Sequence, residues 1–190
     1  MSIVPAFELG FWNAWILVIP MLIMFFITMK VTSIRESGQS GDFQLTKKEK
    51  RIINAIFLPM IISFIYAVFL PLQLGTIWLS VGLLVYLFGL GFLIVAVSNF
   101  ATSPKDKVIT KGLYGVTRNP EYIGILLIQT GLGIACASWL YLLLTVITLI
   151  LLDANLSAEE RYCVYKYEDE YRKYKNRIPR WIGIPKSDKE

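Results

Sequence analysis

Long apolar runs constrain this chain more than any other feature. They occupy residues 9–29, 52–74, 76–100, 122–137 and 139–152. At about 1.5 Å per residue, the first three are long enough to cross the roughly 30 Å hydrocarbon core of a bilayer as α-helices. The last two are shorter and are separated only by Ser138, which predicts a tight helical hairpin. Because backbone polar groups in lipid must bond within the protein, we expect an all-α, polytopic bundle of about five transmembrane helices.

The positive charges predict how this bundle is oriented. All 19 Lys and Arg residues fall within residues 30–51, within residues 101–118 or after residue 152. The positive-inside rule then places the N-terminus outside and both loops and the C-terminal tail in the cytosol. We attribute the net charge of +5 to topology and to contact with anionic inner-leaflet lipids, and not to nucleic-acid binding.

We expect one membrane domain over residues 1–190. Its predicted parts are N-terminal spans at 1–75, a cofactor-binding core at 76–160, and a cytosolic interfacial tail at 161–190 that includes an amphipathic helix. No positively charged leader precedes the first span, which we therefore expect to be retained. No retrieval signal of the endoplasmic reticulum ends the chain, which favours a prokaryotic cell membrane.

Several kinds of chemistry are disfavoured by composition. The chain has no histidine, which excludes His-based triads and proton relays. Its two cysteines, Cys136 and Cys163, are predicted on opposite sides of the membrane, which argues against a disulfide. With no histidine and no cysteine cluster, we expect no metal site.

A polar segment at residues 111–124 joins a basic loop to the fourth apolar run. Asn119 is a favourable N-cap, Pro120 fits the first helical position, and Glu121 suits the positive end of the helix dipole. Arg118 precedes this start, beside backbone N–H groups without a partner in the helix. An Arg beside free N–H donors can bind a carboxylate or a phosphate. The alternative is that Arg118 only contacts lipid phosphate and that Asn119 and Pro120 only begin a helix.

Small residues recur every seven positions in the third and fourth runs. The two stripes are Gly82, Gly89 and Ala96 in one run, and Gly124, Gly131 and Ser138 in the other. Such stripes allow helices to approach closely. The segment Gly89-Leu90-Gly91 taken alone is explained by helix packing more often than by a ligand. Gln129, inside the fourth run, should face other helices or a cavity and not lipid.

The fifth run is followed by acidic residues that allow two interpretations. Ser157 and Glu160 have the spacing of a capping box, which would begin a new helix there. Alternatively, one helix continues out of the membrane and places Asp153 and Glu160 on the same face. Carboxylates there could accept hydrogen bonds from ribose hydroxyls or balance a cation.

The tail pattern predicts an amphipathic helix lying on the membrane. Tyr167, Tyr171 and Tyr174 would share one of its faces. Arg177 and Arg180 then flank a rigid turn.

Together these motifs resemble the membrane methyltransferases that include phospholipid N-methyltransferases and isoprenylcysteine carboxyl methyltransferases. The resemblance covers roughly the C-terminal two-thirds of the chain. It rests on Gly112-x-Tyr114, Arg118-Asn119-Pro120-x-Tyr122-x-Gly124, the hairpin, and Glu159-Glu160. Gly89-Leu90-Gly91 is also similar to the Gly-x-Gly segment of the phospholipid enzymes. Asn119 stands where many members have His, which favours the phospholipid enzymes. The tail from Tyr171 to Pro179 is similar to isoprenylcysteine enzymes and sterol reductases, although Glu168 stands where such tails often have Gly.

The resemblance implies S-adenosylmethionine as methyl donor and a membrane lipid, above all a phospholipid amine headgroup, as acceptor. The implied catalytic residues are Glu160 and Asp153, which could take a proton, and Tyr122, which could face the sulfonium. Cofactor-binding residues are expected at Gly89, Gly91, Lys111, Gly112, Tyr114, Arg118, Asn119, Pro120, Tyr122, Glu159 and Glu160. Substrate contacts are expected at Gln129, Tyr171, Arg177 and Arg180.

Three alternatives stay open. The first is an isoprenylcysteine-type carboxyl or thiol methyltransferase. The second is a sterol-reductase-like enzyme that uses NADPH and places Arg177 and Arg180 near a cofactor phosphate. Against it, this chain is short and has too few spans for the architecture usual in such reductases. The third is a membrane scaffold without enzymatic activity, whose small-residue stripes only join helices.

Overall fold

The computed structural model describes residues 9–36 and 43–185. The helices in this described part are α1 (Trp15–Glu36), α2 (Lys47–Phe69), α3 (Ile77–Thr102), α4 (Pro120–Ala135) and α5 (Trp139–Arg177), with a 3₁₀ turn at Gly112–Gly115. Among them, α1, α2, α3 and α5 are long and apolar enough to cross a membrane, whereas α4 has 16 residues. The predicted all-α membrane bundle is confirmed, and α4 and α5 form the expected hairpin.

The first two helices begin away from the predicted boundaries for identifiable reasons. α2 begins five residues early because Thr46 and Glu49 form a capping box, in which the Thr46 N–H donates to the Glu49 carboxylate at 2.7 Å. α1 begins only at Trp15. The residues before it pair with the end of α2, where the Ala14 N–H donates to the Leu70 carbonyl at 2.8 Å.

The small-residue stripes bring α3 and α4 into close contact, as predicted. A Cβ atom added at Gly82 would overlap the backbone of Ala135, and one added at Gly131 would overlap the backbone of Tyr86. Only glycine permits this approach, because any side chain would have to displace main-chain atoms of the neighbouring helix. The packing fixes α4, and therefore the polar segment at its N-terminus, against α3.

α5 is much longer than the predicted fifth span and contains 39 residues. It passes through Ser157 without a new start, so the capping-box alternative is not formed and the acidic residues share one helix. The helix is interrupted at Glu168, where φ is +46° and ψ is −122°. This backbone region favours glycine, which is the residue that similar tails often have at this position.

The tyrosine face of the tail packs against protein. Tyr171 and Tyr174 are buried in a cluster with Val108 and Ile178. The Tyr174 hydroxyl also donates to the Tyr114 carbonyl at 2.7 Å. The tyrosine face thus packs against the loop before α4, and the position of this helix on the membrane stays a prediction. The contact holds the tail beside the start of α4.

Candidate functional site

A polar cavity of about 340 Å³ lies where the N-terminus of α4 meets α5. Its volume falls within the roughly 300–1,000 Å³ typical of small-molecule sites. The cavity is lined by these predicted site residues: Tyr114, Arg118, Asn119, Tyr122, Glu159, Glu160 and Tyr171. The fold thus brings together side chains from the loop before α4, the first turn of α4 and the middle of α5.

Glu160 is the centre of an ion cluster and is only 4% exposed. Arg118 Nη1 lies 2.9 Å from Glu160 Oε1, and Lys175 Nζ lies 2.7 Å from Oε2. Arg180 donates to both oxygens, from Nε at 2.9 Å and from Nη2 at 3.1 Å. Hydrogen bonding to Glu160 raises the pKa of Arg180, so its guanidinium stays charged. Since Arg180 also contacts Asp153, this cluster of three cations and two carboxylates retains one positive charge, which suits an anionic ligand group.

The Arg118 side chain is 9% exposed and retains a free donor. Within the described residues its Nε has no hydrogen-bond partner. A buried donor without a partner costs free energy unless a ligand satisfies it. Because the guanidinium is a rigid fork that matches a carboxylate, Arg118 fits the anion-binding role predicted for it.

Asn119 is the N-cap residue of α4, as predicted, but its side chain bonds elsewhere. Its side chain makes no cap hydrogen bond, and Nδ2 instead donates to the Arg180 carbonyl at 2.8 Å. The same carbonyl accepts from the Thr117 hydroxyl at 3.2 Å, and the Arg118 N–H donates to the Pro179 carbonyl at 3.0 Å. The tail carbonyls therefore compete with the first turn of α4 for the Asn119 side chain and fasten the tail across the site.

Glu159 lies on the cavity wall in a hydrogen-bonded group with Tyr122 and Asn155. The Tyr122 hydroxyl and the Asn155 amide, the latter at 2.7 Å, both donate to Glu159 Oε1. Sequence reasoning missed Asn155, although its spacing of four residues before Glu159 places it on the same helix face. The group fixes the orientation of the Glu159 carboxylate.

Tyr114 and Glu121 form a second pair at the cavity. The Tyr114 hydroxyl donates to Glu121 Oε1 at 3.0 Å. Burial, reinforced by the neighbouring Glu121 carboxylate, raises the pKa of Tyr114 well above its usual range, so the hydroxyl stays a neutral donor. The sequence analysis predicted for Glu121 only a favourable interaction with the helix dipole and no place in the site.

Arg35 lines the cavity and was also missed. It is 6% exposed and donates to the carbonyls of Phe100 at 2.8 Å and Pro104 at 2.9 Å, and also to that of Ser103. These bonds satisfy carbonyls at the C-terminal end of α3. No signal in the sequence distinguishes this Arg from the other cations at the ends of the spans.

The remaining predicted site residues do not line this cavity: Gly89, Gly91, Lys111, Gly112, Pro120, Gln129, Asp153, Arg177 and Arg180. A Cβ added at Gly89 would lie 2.7 Å from Leu127 Cβ, so α4 covers this glycine, whereas nothing lies within 4 Å of a Cβ at Gly91. Their predicted contact with the cofactor stays a prediction, with helix packing as the structural explanation of Gly89.

Others of this group have structural contacts of their own. Lys111 Nζ donates to the Thr102 hydroxyl at 3.2 Å. Gly112 has φ of +59° in the 3₁₀ turn, and Pro120 is the first residue of α4. Gln129 is fully buried within the bundle, as predicted. Their ligand-binding roles also stay predictions.

An apolar groove of about 700 Å³ runs between α4 and α5. Asp153, Trp181 and Ile182 line it together with Ile123, Leu126, Leu127, Thr130, Leu149 and Ile150. The Trp181 indole donates to Asp153 Oδ1 at 2.8 Å, and Arg180 Nη1 lies 3.5 Å from the same oxygen. Arg180 also binds Glu160, so its side chain lies between Asp153 of the groove and Glu160 of the polar cavity.

The sequence is similar to known proteins. Residues 74–170, just over half of the chain, match the model of the family described as PEMT, phospholipid methyltransferase. The protein-S-isoprenylcysteine O-methyltransferase of Schizosaccharomyces pombe (strain 972 / ATCC 24843) is 25% identical over 144 residues, which cover 73% of this chain and 59% of the relative. The chain therefore spans less than two thirds of that relative's length. No solved structure matches.

Proposed function

The chain belongs to the phospholipid methyltransferase family, and from this premise we propose that it transfers a methyl group from S-adenosylmethionine to a membrane lipid. The acceptor we propose is the amine of a phospholipid headgroup. One observation carries the proposal: a buried Arg118 with a free donor lines a polar cavity, and Arg180 contacts both Glu160 of that cavity and Asp153 of the apolar groove. A soluble cosubstrate and a lipid could thus meet at one place.

The cavity residues suit the donor group by group. When bound, S-adenosylmethionine supplies a methyl group activated by the sulfonium. Arg118 would hold its carboxylate, and the ion pair with Glu160 would orient Arg118. Glu159 would accept hydrogen bonds from the ribose hydroxyls. The ring of Tyr122 could lie against the sulfonium, since aromatic faces attract cations.

The groove suits the acceptor. Its aliphatic lining would hold an acyl chain, while Asp153 and Trp181 at its polar end would contact the headgroup. The Asp153 carboxylate would attract an ammonium and accept its proton, because only the neutral amine has an electron pair to form the new N–C bond. Holding amine and methyl about 3–3.5 Å apart can by itself lower the barrier by about 7–11 kcal/mol, so histidine is not required.

The hypothesis of an isoprenylcysteine-type carboxyl or thiol acceptor has one observation in its favour and one against it. The Schizosaccharomyces pombe relative carries that name, and it is similar over 73% of this chain. However, Asn119 stands where many members of the resembled superfamily have His, which favours the phospholipid enzymes. We therefore place the carboxyl or thiol acceptor second.

The proposed location follows from the charges. The end of α1, the start of α2 and the loop between α3 and α4 carry the basic residues of the bundle, and the cavity lies at the same end. We place this end in the cytosol, in contact with anionic inner-leaflet lipids, with the N-terminus outside.

The function is tested by incubating the full chain in detergent with methyl-labelled donor and total membrane lipid, followed by identification of the labelled product. We expect a methylated phospholipid amine. Arg118→Ala should lose the product, whereas Arg172→Ala, at a side chain that is 64% exposed, should retain it.

Other results of this labelling experiment, and of thermal unfolding with added cofactors, would contradict the proposal. Label on a prenylated cysteine, and none on lipid amines, would favour the second acceptor class. Thermal stabilisation by NADPH and not by S-adenosylhomocysteine would favour a reductase. No thermal stabilisation by either compound would favour a scaffold without enzymatic activity.

A further inference from the structure

Glu121 is a cavity-lining carboxylate without a cationic partner in the described part of the chain. Its one hydrogen bond there is from the Tyr114 hydroxyl. The other acids of the site differ: Glu160 contacts Arg118, Lys175 and Arg180, and Asp153 contacts Arg180. A partly buried carboxylate without a counter-charge is costly, so this position is suited to a cation that comes with a ligand.

The cations that line the same cavity are engaged elsewhere. Arg35 donates to main-chain carbonyls at the end of α3. Lys166 Nζ lies over the Tyr167 ring, 4.9 Å from its centroid. Arg118 pairs with Glu160. None of these side chains neutralises Glu121.

Arg118 and Glu121 stand on either side of the first residue of α4 and carry opposite charges into one cavity. Burial raises the pKa of Glu121, and both the positive helix end and an incoming ammonium would favour its anionic form. A ligand that carries a carboxylate and an ammonium on the same carbon would satisfy both side chains at once.

We propose that Glu121 binds the α-ammonium of the donor's amino-acid end, and that Glu121 and Arg118 together form a two-point site for this zwitterion. The proposal rests on the proposed function. The Tyr114 hydroxyl would orient the Glu121 carboxylate by occupying one of its oxygens. Glu121 thus acts in binding and takes no part in the transfer of the methyl group.

A binding cycle between ligand and protein tests this pairing. The affinity of the full chain in detergent is measured by calorimetry for S-adenosylhomocysteine and for its analogue with hydrogen in place of the α-amino group. Wild type should bind the analogue about 10-fold more weakly, as expected for a lost hydrogen bond between charged groups. In Glu121→Gln, which keeps an oxygen for Tyr114, the two ligands should bind equally.

Asp169→Asn is the matched control, because that side chain is 80% exposed and does not line the cavity. It should preserve the 10-fold difference in affinity between the two ligands. Should Glu121→Gln fail to fold, Tyr114→Phe is the second variant. It keeps the Glu121 carboxylate but removes its hydrogen bond, and it should reduce the difference in affinity between the two ligands. An undiminished difference in Glu121→Gln would overturn the inference, as would equal affinity of wild type for both ligands. Failure of wild type to bind S-adenosylhomocysteine at all would instead refute the proposed function.

Discussion

Replacing the two glycines of Gly89-Leu90-Gly91 one at a time separates helix packing from cofactor binding. A Cβ at Gly89 would lie 2.7 Å from Leu127 Cβ and 2.8 Å from the Ile128 backbone nitrogen. Both distances are shorter than van der Waals contact, and the backbone nitrogen cannot rotate away as a side chain can. A Cβ at Gly91 would meet nothing within 4 Å, so the two positions are internal controls for each other.

The two replacements should have opposite effects on stability. Alanine in place of an exposed helical glycine stabilises by about 0.5–1 kcal/mol, which we expect for Gly91→Ala. Gly89→Ala has the same helical gain but must push α4 away from α3, and overpacking of this kind costs about 1–3 kcal/mol. We expect a net loss for Gly89→Ala and a difference of about 1–3 kcal/mol between the variants, which equals the overpacking cost.

Denaturant unfolding in detergent measures this difference, and calorimetry with S-adenosylhomocysteine measures cofactor affinity in the same samples. Gly91→Ala should bind as wild type does, because Gly91 lies outside the cavity. A Gly91→Ala variant that is stable but binds S-adenosylhomocysteine weakly would support the cofactor role predicted for Gly91. Equal stability of the two variants would contradict the close α3–α4 approach.

Three further results are expected. Glu168→Gly should raise the unfolding free energy by about 1–3 kcal/mol, since it relieves a backbone conformation that favours glycine; a lower melting temperature would contradict this. Glu160→Gln should cost about 3–5 kcal/mol in denaturant unfolding because it leaves Arg118 buried without its carboxylate, and a loss no larger than that of the exposed Asp169→Asn would argue against the ion cluster. Thr130→Trp should fill the groove and raise the KM for lipid without weakening S-adenosylhomocysteine binding; an unchanged KM would exclude the groove as the acyl site.

Much of the fold could be predicted because a membrane leaves few choices. An apolar run in lipid must be a helix, so the runs gave the helices and the hairpin. The stripes through Gly82 and Gly131 predicted a close contact, which forms between α3 and α4. Part of the site could also be predicted. Arg118 precedes α4 and Glu160 follows the apolar part of α5, so both lie at the same end of the hairpin.

What could not be predicted concerns polar residues with several possible partners. Asn119 could cap α4 or bond the tail, and the two choices differ by about one hydrogen bond, or roughly 1 kcal/mol. Only the folded tail, which presents the Arg180 carbonyl, decides between them. Arg35 and Glu121 are similar cases, because their partners lie on segments distant in sequence or in an irregular turn. The sequence also left open whether a new helix begins at Ser157 or one helix continues past the apolar part, and the structure forms one helix, Trp139–Arg177.

The central claim is that Arg118, at the mouth of α4, holds the carboxylate of a sulfonium donor. Its most direct measurement is calorimetric titration of S-adenosylhomocysteine into wild type, Arg118→Ala and the exposed control Arg172→Ala, each checked for folding by thermal unfolding. We predict binding to wild type and to Arg172→Ala, and an affinity at least about 10-fold lower for folded Arg118→Ala, the minimum for a lost charged hydrogen bond. Wild-type affinity in folded Arg118→Ala would contradict the account.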